Sequence, residues 1–72
     1  MAKLYVFFKD NSDENIQHVH DVITENDLKG SITAEFKSDY PAGHACLTGR
    51  RNDLLKLQEA FEKTGEKVEF VT

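Results

Sequence analysis

The chain opens with seven residues, KLYVFFK (3–9), rich in aromatic and β-branched types, that stop at the polar cluster DNSDEN. That is the boundary pattern of a strand. In the next stretch, apolar Ile16, Val19 and Ile23 recur at i, i+3 and i+7, the spacing of one helix face. Asn11 with Glu14 three residues on, or Ser12 alone, is placed to cap its start, and Gly30 to end it in the left-handed region, so the pattern predicts a helix over roughly residues 13–28. SITAEFKS then puts Ile32, Ala34 and Phe36 on one parity and Thr33, Glu35 and Lys37 on the other, the mark of a strand with one buried face. DYPAG carries Pro and Gly at turn positions, and HACLT alternates again with Ala45 and Leu47 on one side. From Arg50 to Thr64, Leu54, Leu57 and Phe61 form a second helical stripe, with Gly65 where a residue just past a helix end belongs. EKVEFVT closes the chain as a fourth strand, Val68 and Phe70 sharing one parity.

The resulting order, β-α-β-β-α-β, resembles the ferredoxin-like, or split βαβ, arrangement over nearly the whole chain. Right-handed crossovers then imply an α+β fold, a four-stranded antiparallel sheet of order 4-1-3-2 with both helices on one face. At 72 residues the chain is read as a single domain, 1–72, with no linker, repeat or low-complexity segment. A domain of this size buries only about 60% of its unfolded surface, so function is expected on the surface and not in a deep cavity. The fold class hosts many unrelated activities, and function has to be sought in particular side chains.

Alternation decides which side chains those are. With Leu4, Val6, Phe8, Ile32, Ala34, Phe36, Ala45, Leu47, Val68 and Phe70 turned to the helices, the other sheet face carries Tyr5, Phe7, Thr33, Glu35, Lys37, His44, Cys46, Thr48, Lys67, Glu69 and Val71. Strands one and three are central neighbours in the expected order, so Tyr5 and Phe7 lie beside His44 and Cys46. Aromatics at the middle of an uncovered sheet mark a contact surface. The leading expectation is therefore a small non-enzymatic interaction module, a regulator or inhibitor of a larger protein, with Tyr5, Phe7, His44 and Cys46 as its partner-binding face and a homodimer through that face as one form. LYV (4–6) is also similar to the start of the first-strand motif of RNA-recognition domains, with Tyr5 at the stacking position. The third strand carries His44 and Cys46 where that family carries aromatics, and no basic residue precedes Gly43, so single-stranded nucleic-acid binding ranks behind a protein partner.

Charge strengthens that order. The net charge of -4 disfavours direct binding to nucleic acid or anionic lipid. The acids concentrate in the first helical segment, where Asp13, Glu14, Asp21 and Glu25, with Asp10 and Asp27 flanking, form a candidate docking face for a basic partner such as a nucleic-acid-binding protein. One cysteine excludes an internal disulfide framework and fits a reducing compartment. Met1-Ala2-Lys3 runs straight into a strand, and no apolar run approaches the ~18 residues of a membrane span. The expectation is a soluble cytoplasmic protein without membrane contact.

The remaining candidate chemistry is thin. In TGRR, Gly49, Arg50 and Arg51 fall at the start of the second helix, where free N–H groups and the helix dipole favour an anion. The spacing is not GxxxxGK[ST], so the runner-up function is a small-ligand or anion sensor and not a P-loop; Thr48 or Asn52 is the expected cap of that helix. His44 and Cys46 offer two metal-ligand types on one face, but His18 and His20 belong to a helix on the other side, so no metal site and no cofactor is expected. His18 is expected at the surface near Asp21, and His20 at the edge of the core. A thiolate-imidazole pair fails on spacing, since i and i+2 on a strand stand about 6.5–7 Å apart with no third group to orient the ring. No catalytic residues are assigned.

Overall fold

A computed structural model describes residues 2–9, 12–39 and 42–71. Its elements follow the expected order: β1 (Ala2–Phe8), α1 (Asp13–Glu25), β2 (Thr33–Asp39), β3 (Ala42–Gly49), α2 (Arg51–Lys63) and β4 (Lys67–Val71). The strands form one sheet in the order β2-β3-β1-β4, every neighbouring pair antiparallel, which is the ferredoxin-like α+β arrangement.

The period-2 pattern of β1 explains its central place. Ala2, Leu4, Val6 and Phe8 are all buried, Leu4 and Val6 completely, whereas Tyr5 and Phe7 between them are only half-buried. Beneath the sheet, Val19, Val22 and Ile23 of α1 and Leu54, Leu57 and Phe61 of α2 complete the core. Val22 replaces Ile16 in the expected stripe; Ile16 is half-buried one turn from the helix start. Ile32, Ala34, Phe36, Val68 and Phe70 pack on the core's margin, as befits strands at the two sheet edges.

Several boundaries differ from the expected ones, and the instructive ones have local reasons. Helix α1 ends at Glu25, not near residue 28, because Asp27 adopts a left-handed backbone (φ 58°). Its N–H donates to the Thr24 carbonyl at 3.0 Å and that of Leu28 to Ile23 at 3.0 Å, the paired closing bonds of a Schellman turn. Leu28 and Ile23 are both buried in the core, and Asn26 Nδ2 donates to the Val22 carbonyl at 2.8 Å. Gly30, the expected terminator, has its positive φ (91°) in the turn beyond. At the other end of α1, Ser12 is the cap, its Oγ accepting from the Asn15 N–H at 3.3 Å; Asn11 lies outside the described residues.

The β2–β3 hairpin reaches closer to its tip than expected, pairing Asp39 with Ala42. Gly43 is thus a ladder residue opposite Phe8 and Ser38, and not part of the turn; Tyr40 and Pro41 lie outside the described residues. Helix α2 ends as expected, with Gly65 (φ 90°) donating to Glu62 at 3.2 Å and Glu66 to Phe61 at 3.1 Å. Its start corrects the sequence reading. The capping position belongs to Arg50, which makes no side-chain capping bond, and Thr48 is a strand residue.

An uncapped start with a cation on the dipole's positive end is a local weakness. Arg50→Asp is expected to stabilise the domain by about 1 kcal/mol, or roughly 4–8 °C in melting temperature for a chain this short. Thermal unfolding followed by circular dichroism measures it, and an unchanged or lower midpoint would contradict the assignment of the cap.

Candidate functional site

Both helices cover one side of the sheet, and the ladder registers arrange the other side in rows across all four strands. One row reads Glu69–Tyr5–Cys46–Glu35 and the next Lys67–Phe7–His44–Lys37. At the centre, three rings meet. The centroids of Tyr5 and Phe7 lie 6.4 Å apart with planes 23° from parallel, and His44 stands 6.0 Å from each. Aromatic groups at these separations attract one another beyond their shared burial. Cys46, opposite Tyr5 in the ladder, is a free, half-buried thiol.

The four residues expected to form the partner-binding face are therefore brought together. The aromatics are half-buried and not fully exposed, because each ring shelters the next. Glu35, Lys37, Lys67 and Glu69 around them are exposed. The sheet face is an apolar aromatic centre with a charged margin, the distribution found in protein contact surfaces.

The acidic candidates sit elsewhere. Asp13, Glu14, Asp21 and Glu25 are all exposed on α1, whose last turn contains no basic residue, and Asp21 accepts from Gln17 Nε2 at 2.9 Å. Asp10 lies outside the described residues. The anion candidates are not assembled around a backbone cradle: Arg50 and Arg51 are exposed, but Gly49 is buried at the end of β3. A Cβ on Gly49 would stand 2.5 Å from Ile32 Cδ1 and 3.2 Å from the Ser31 carbonyl, so this glycine makes room for packing and not for a ligand.

A histidine arrangement escaped the sequence reading. His18 does not pair with Asp21; its Nε2–H donates to Glu66 Oε1 at 3.0 Å, with Thr64 Oγ1 3.3 Å from the same nitrogen. Thr64 Oγ1 also contacts Glu66 Oε2, and the His18 ring meets Phe61 edge-on at 6.0 Å. Thr, His and Glu side chains together invite a catalytic reading, but both contacts use one ring nitrogen, so the imidazole cannot relay a proton from hydroxyl to carboxylate. The cluster acts as a strut fastening α1 to the turn between α2 and β4. The His20 ring stands 5.4 Å from that of Phe36, but His20 is exposed and does not take the core-boundary place expected of it.

Beside the strut, an open groove of about 520 Å³ runs between the end of β1, the start of α1 and the α2–β4 turn, lined by Phe7, Lys9, Asn15, Glu66 and Lys67 among others. It borders the aromatic face through Phe7 and Lys67. Among the described residues no group of three His, Cys, Asp or Glu side chains is placed to hold a metal ion. No helix among them is long and apolar enough to cross a membrane. No protein-family model and no curated protein matches the chain.

Proposed function

We propose that this chain is a small non-enzymatic protein-interaction module that presents its helix-free sheet face to a protein partner, acting as a regulator or inhibitor in a reducing, cytoplasmic setting. The observation that carries the reading is the Tyr5–Phe7–His44 ring cluster at the centre of that face. Half-buried aromatics gain further apolar burial when a partner covers them, and an aromatic at an interface centre can contribute ~2 kcal/mol or more. The exposed charges of Glu35, Lys37, Lys67 and Glu69 supply a rim that orients the partner and excludes water. The free thiol of Cys46 in the same patch fits a compartment where thiols stay reduced.

Photo-crosslinking in the native cells tests the reading. A benzophenone amino acid in place of Phe7 is expected to yield a protein adduct, and the same group in place of Glu25, on the exposed side of α1, is expected to yield none. Adducts from position 25 alone would move the contact surface to the acidic helix and refute the sheet-face reading. Adducts to nucleic acid from position 7 would replace the module with a nucleic-acid binder.

A further inference from the structure

The two central rows of the open face differ in one respect that decides how a second copy can sit on them. The Tyr5–Cys46 row ends in glutamates on both sides, Glu69 and Glu35, and the Phe7–His44 row ends in lysines on both sides, Lys67 and Lys37. Charge is thus symmetric across the strands and reversed along them. All four groups are exposed, and no ion pair within the chain joins any of them among the described residues.

We infer that the occupant of this face is a second copy of the same chain, packed sheet against sheet about a two-fold axis that runs across the strands midway between the two rows. This rests on the reading of the sheet face as the contact surface and names its partner. The rotation lays each row of one protomer over the other row of its mate. Glu69 meets the mate's Lys67, Glu35 meets the mate's Lys37, Tyr5 meets the mate's Phe7 and Cys46 meets the mate's His44. Because such a contact is isologous, every pair occurs twice, giving four intermolecular ion pairs around a doubled aromatic centre.

Two-fold axes along the strands, or across them through a row, fail on charge. An axis along the strands sets Glu69 against Glu35 and Lys67 against Lys37, and an axis through either row sets that row's like charges on themselves. Packed sheets lie ~10 Å apart and about 30° from aligned, and strand rows are about 6.8 Å apart, so lysine and glutamate side chains reach from the margins while the central rings meet directly. Lys3, one row from Tyr5 on the same face, and Lys9, one residue past β1, are laid over the mate's Lys9 and Lys3 by this axis, two like-charge approaches against four ion pairs, and their long exposed side chains carry the ammonium groups outward to water. Glu35, Glu69, Lys37 and Lys67 balance one another, so these four groups contribute nothing to the chain's net charge of -4. A specific interface covers roughly 800 Å² per partner, about one-sixth of this chain's 4837 Å² surface, which one sheet face is able to supply.

Sedimentation equilibrium of the purified protein over a wide concentration series reads the outcome. The unaltered chain is expected to dimerise, more weakly as salt rises. Glu35→Lys with Glu69→Lys makes the margin wholly basic, and Lys37→Glu with Lys67→Glu makes it wholly acidic; each double change is expected to weaken dimerisation on the order of a hundredfold, four attractions becoming four repulsions. An equimolar mixture of the two is expected to restore it as a heterodimer. The quadruple change reverses the pattern, remains self-complementary under the same axis and is expected to dimerise like the original. Circular dichroism establishes that each variant is folded. A chain that stays monomeric throughout, or a dimer indifferent to these exchanges, overturns the inference. A monomer that nevertheless crosslinks from position 7 to a different protein in cells would overturn the self-pairing alone and leave the interaction module standing.

Discussion

Replacement of Phe61 by alanine is expected to leave the domain largely unfolded in water at room temperature. Phe61 is completely buried at the last turn of α2, the largest of the side chains sealed between helices and sheet. Removing a buried phenylalanine costs about 3–5 kcal/mol, through lost transfer energy and the cavity left behind. Native stability runs near 0.05–0.15 kcal/mol per residue, or about 4–11 kcal/mol for this chain, and small domains sit toward the low end. The cavity would also remove the ring against which His18 stands edge-on, weakening the tie between α1 and the α2–β4 turn. Phe61→Leu keeps most of the volume and is expected to remain folded with a lower midpoint. Urea titration followed by circular dichroism separates the two, and a native Phe61→Ala variant with an unchanged midpoint would show that α2 does not bury this face.

The sheet was legible in the sequence because its information is local. Leu4, Val6 and Phe8 alternate with Tyr5 and Phe7 at a period no helix shares, and strand order then followed from crossover handedness. The end of α1 was less legible. Gly30 is the residue whose type announces a positive φ, yet the helix is ended earlier by Asp27, since aspartate tolerates that region and Leu28 has a buried place in the core. Gly43 read as a turn residue beside Pro41, but the ladder continues through it. The His18–Glu66 contact could not be read, because it joins residues on different elements whose approach is set only when α1 and α2 pack together. The same limit applied to the open face. Its aromatic content followed from parity, but the glutamate and lysine rows needed the pairing of Tyr5 with both Glu69 and Cys46, and of Cys46 with Glu35, a register that alternation alone leaves free by two residues.

Adjacent residues of β1 provide the sharpest test of that parity. Val6→Asp is expected to abolish folding, whereas Phe7→Asp is expected to leave a folded domain with altered association. The two positions share a strand, a neighbourhood and the new side chain, and differ only in the face they occupy. Val6 is completely buried between the Ala45 and Val68 ladder positions, and among the described residues no buried charged side chain is there to receive a carboxylate. An unpaired charge there costs several kcal/mol, a large part of the whole stability, or must take up a proton to be tolerated. Phe7 is half-buried on the open face, where an aspartate reaches water and lies in one row with Lys67 and Lys37. Its loss removes the Phe7 contacts with Tyr5 and His44, each worth about 0.5–1.5 kcal/mol, and cuts into the surface assigned to partner contact. Far-ultraviolet circular dichroism and proton NMR dispersion distinguish the outcomes. A folded Val6→Asp protein beside an unfolded Phe7→Asp protein would place β1 one residue out of register and reverse which residues face the partner, because a single step along a strand exchanges its two faces.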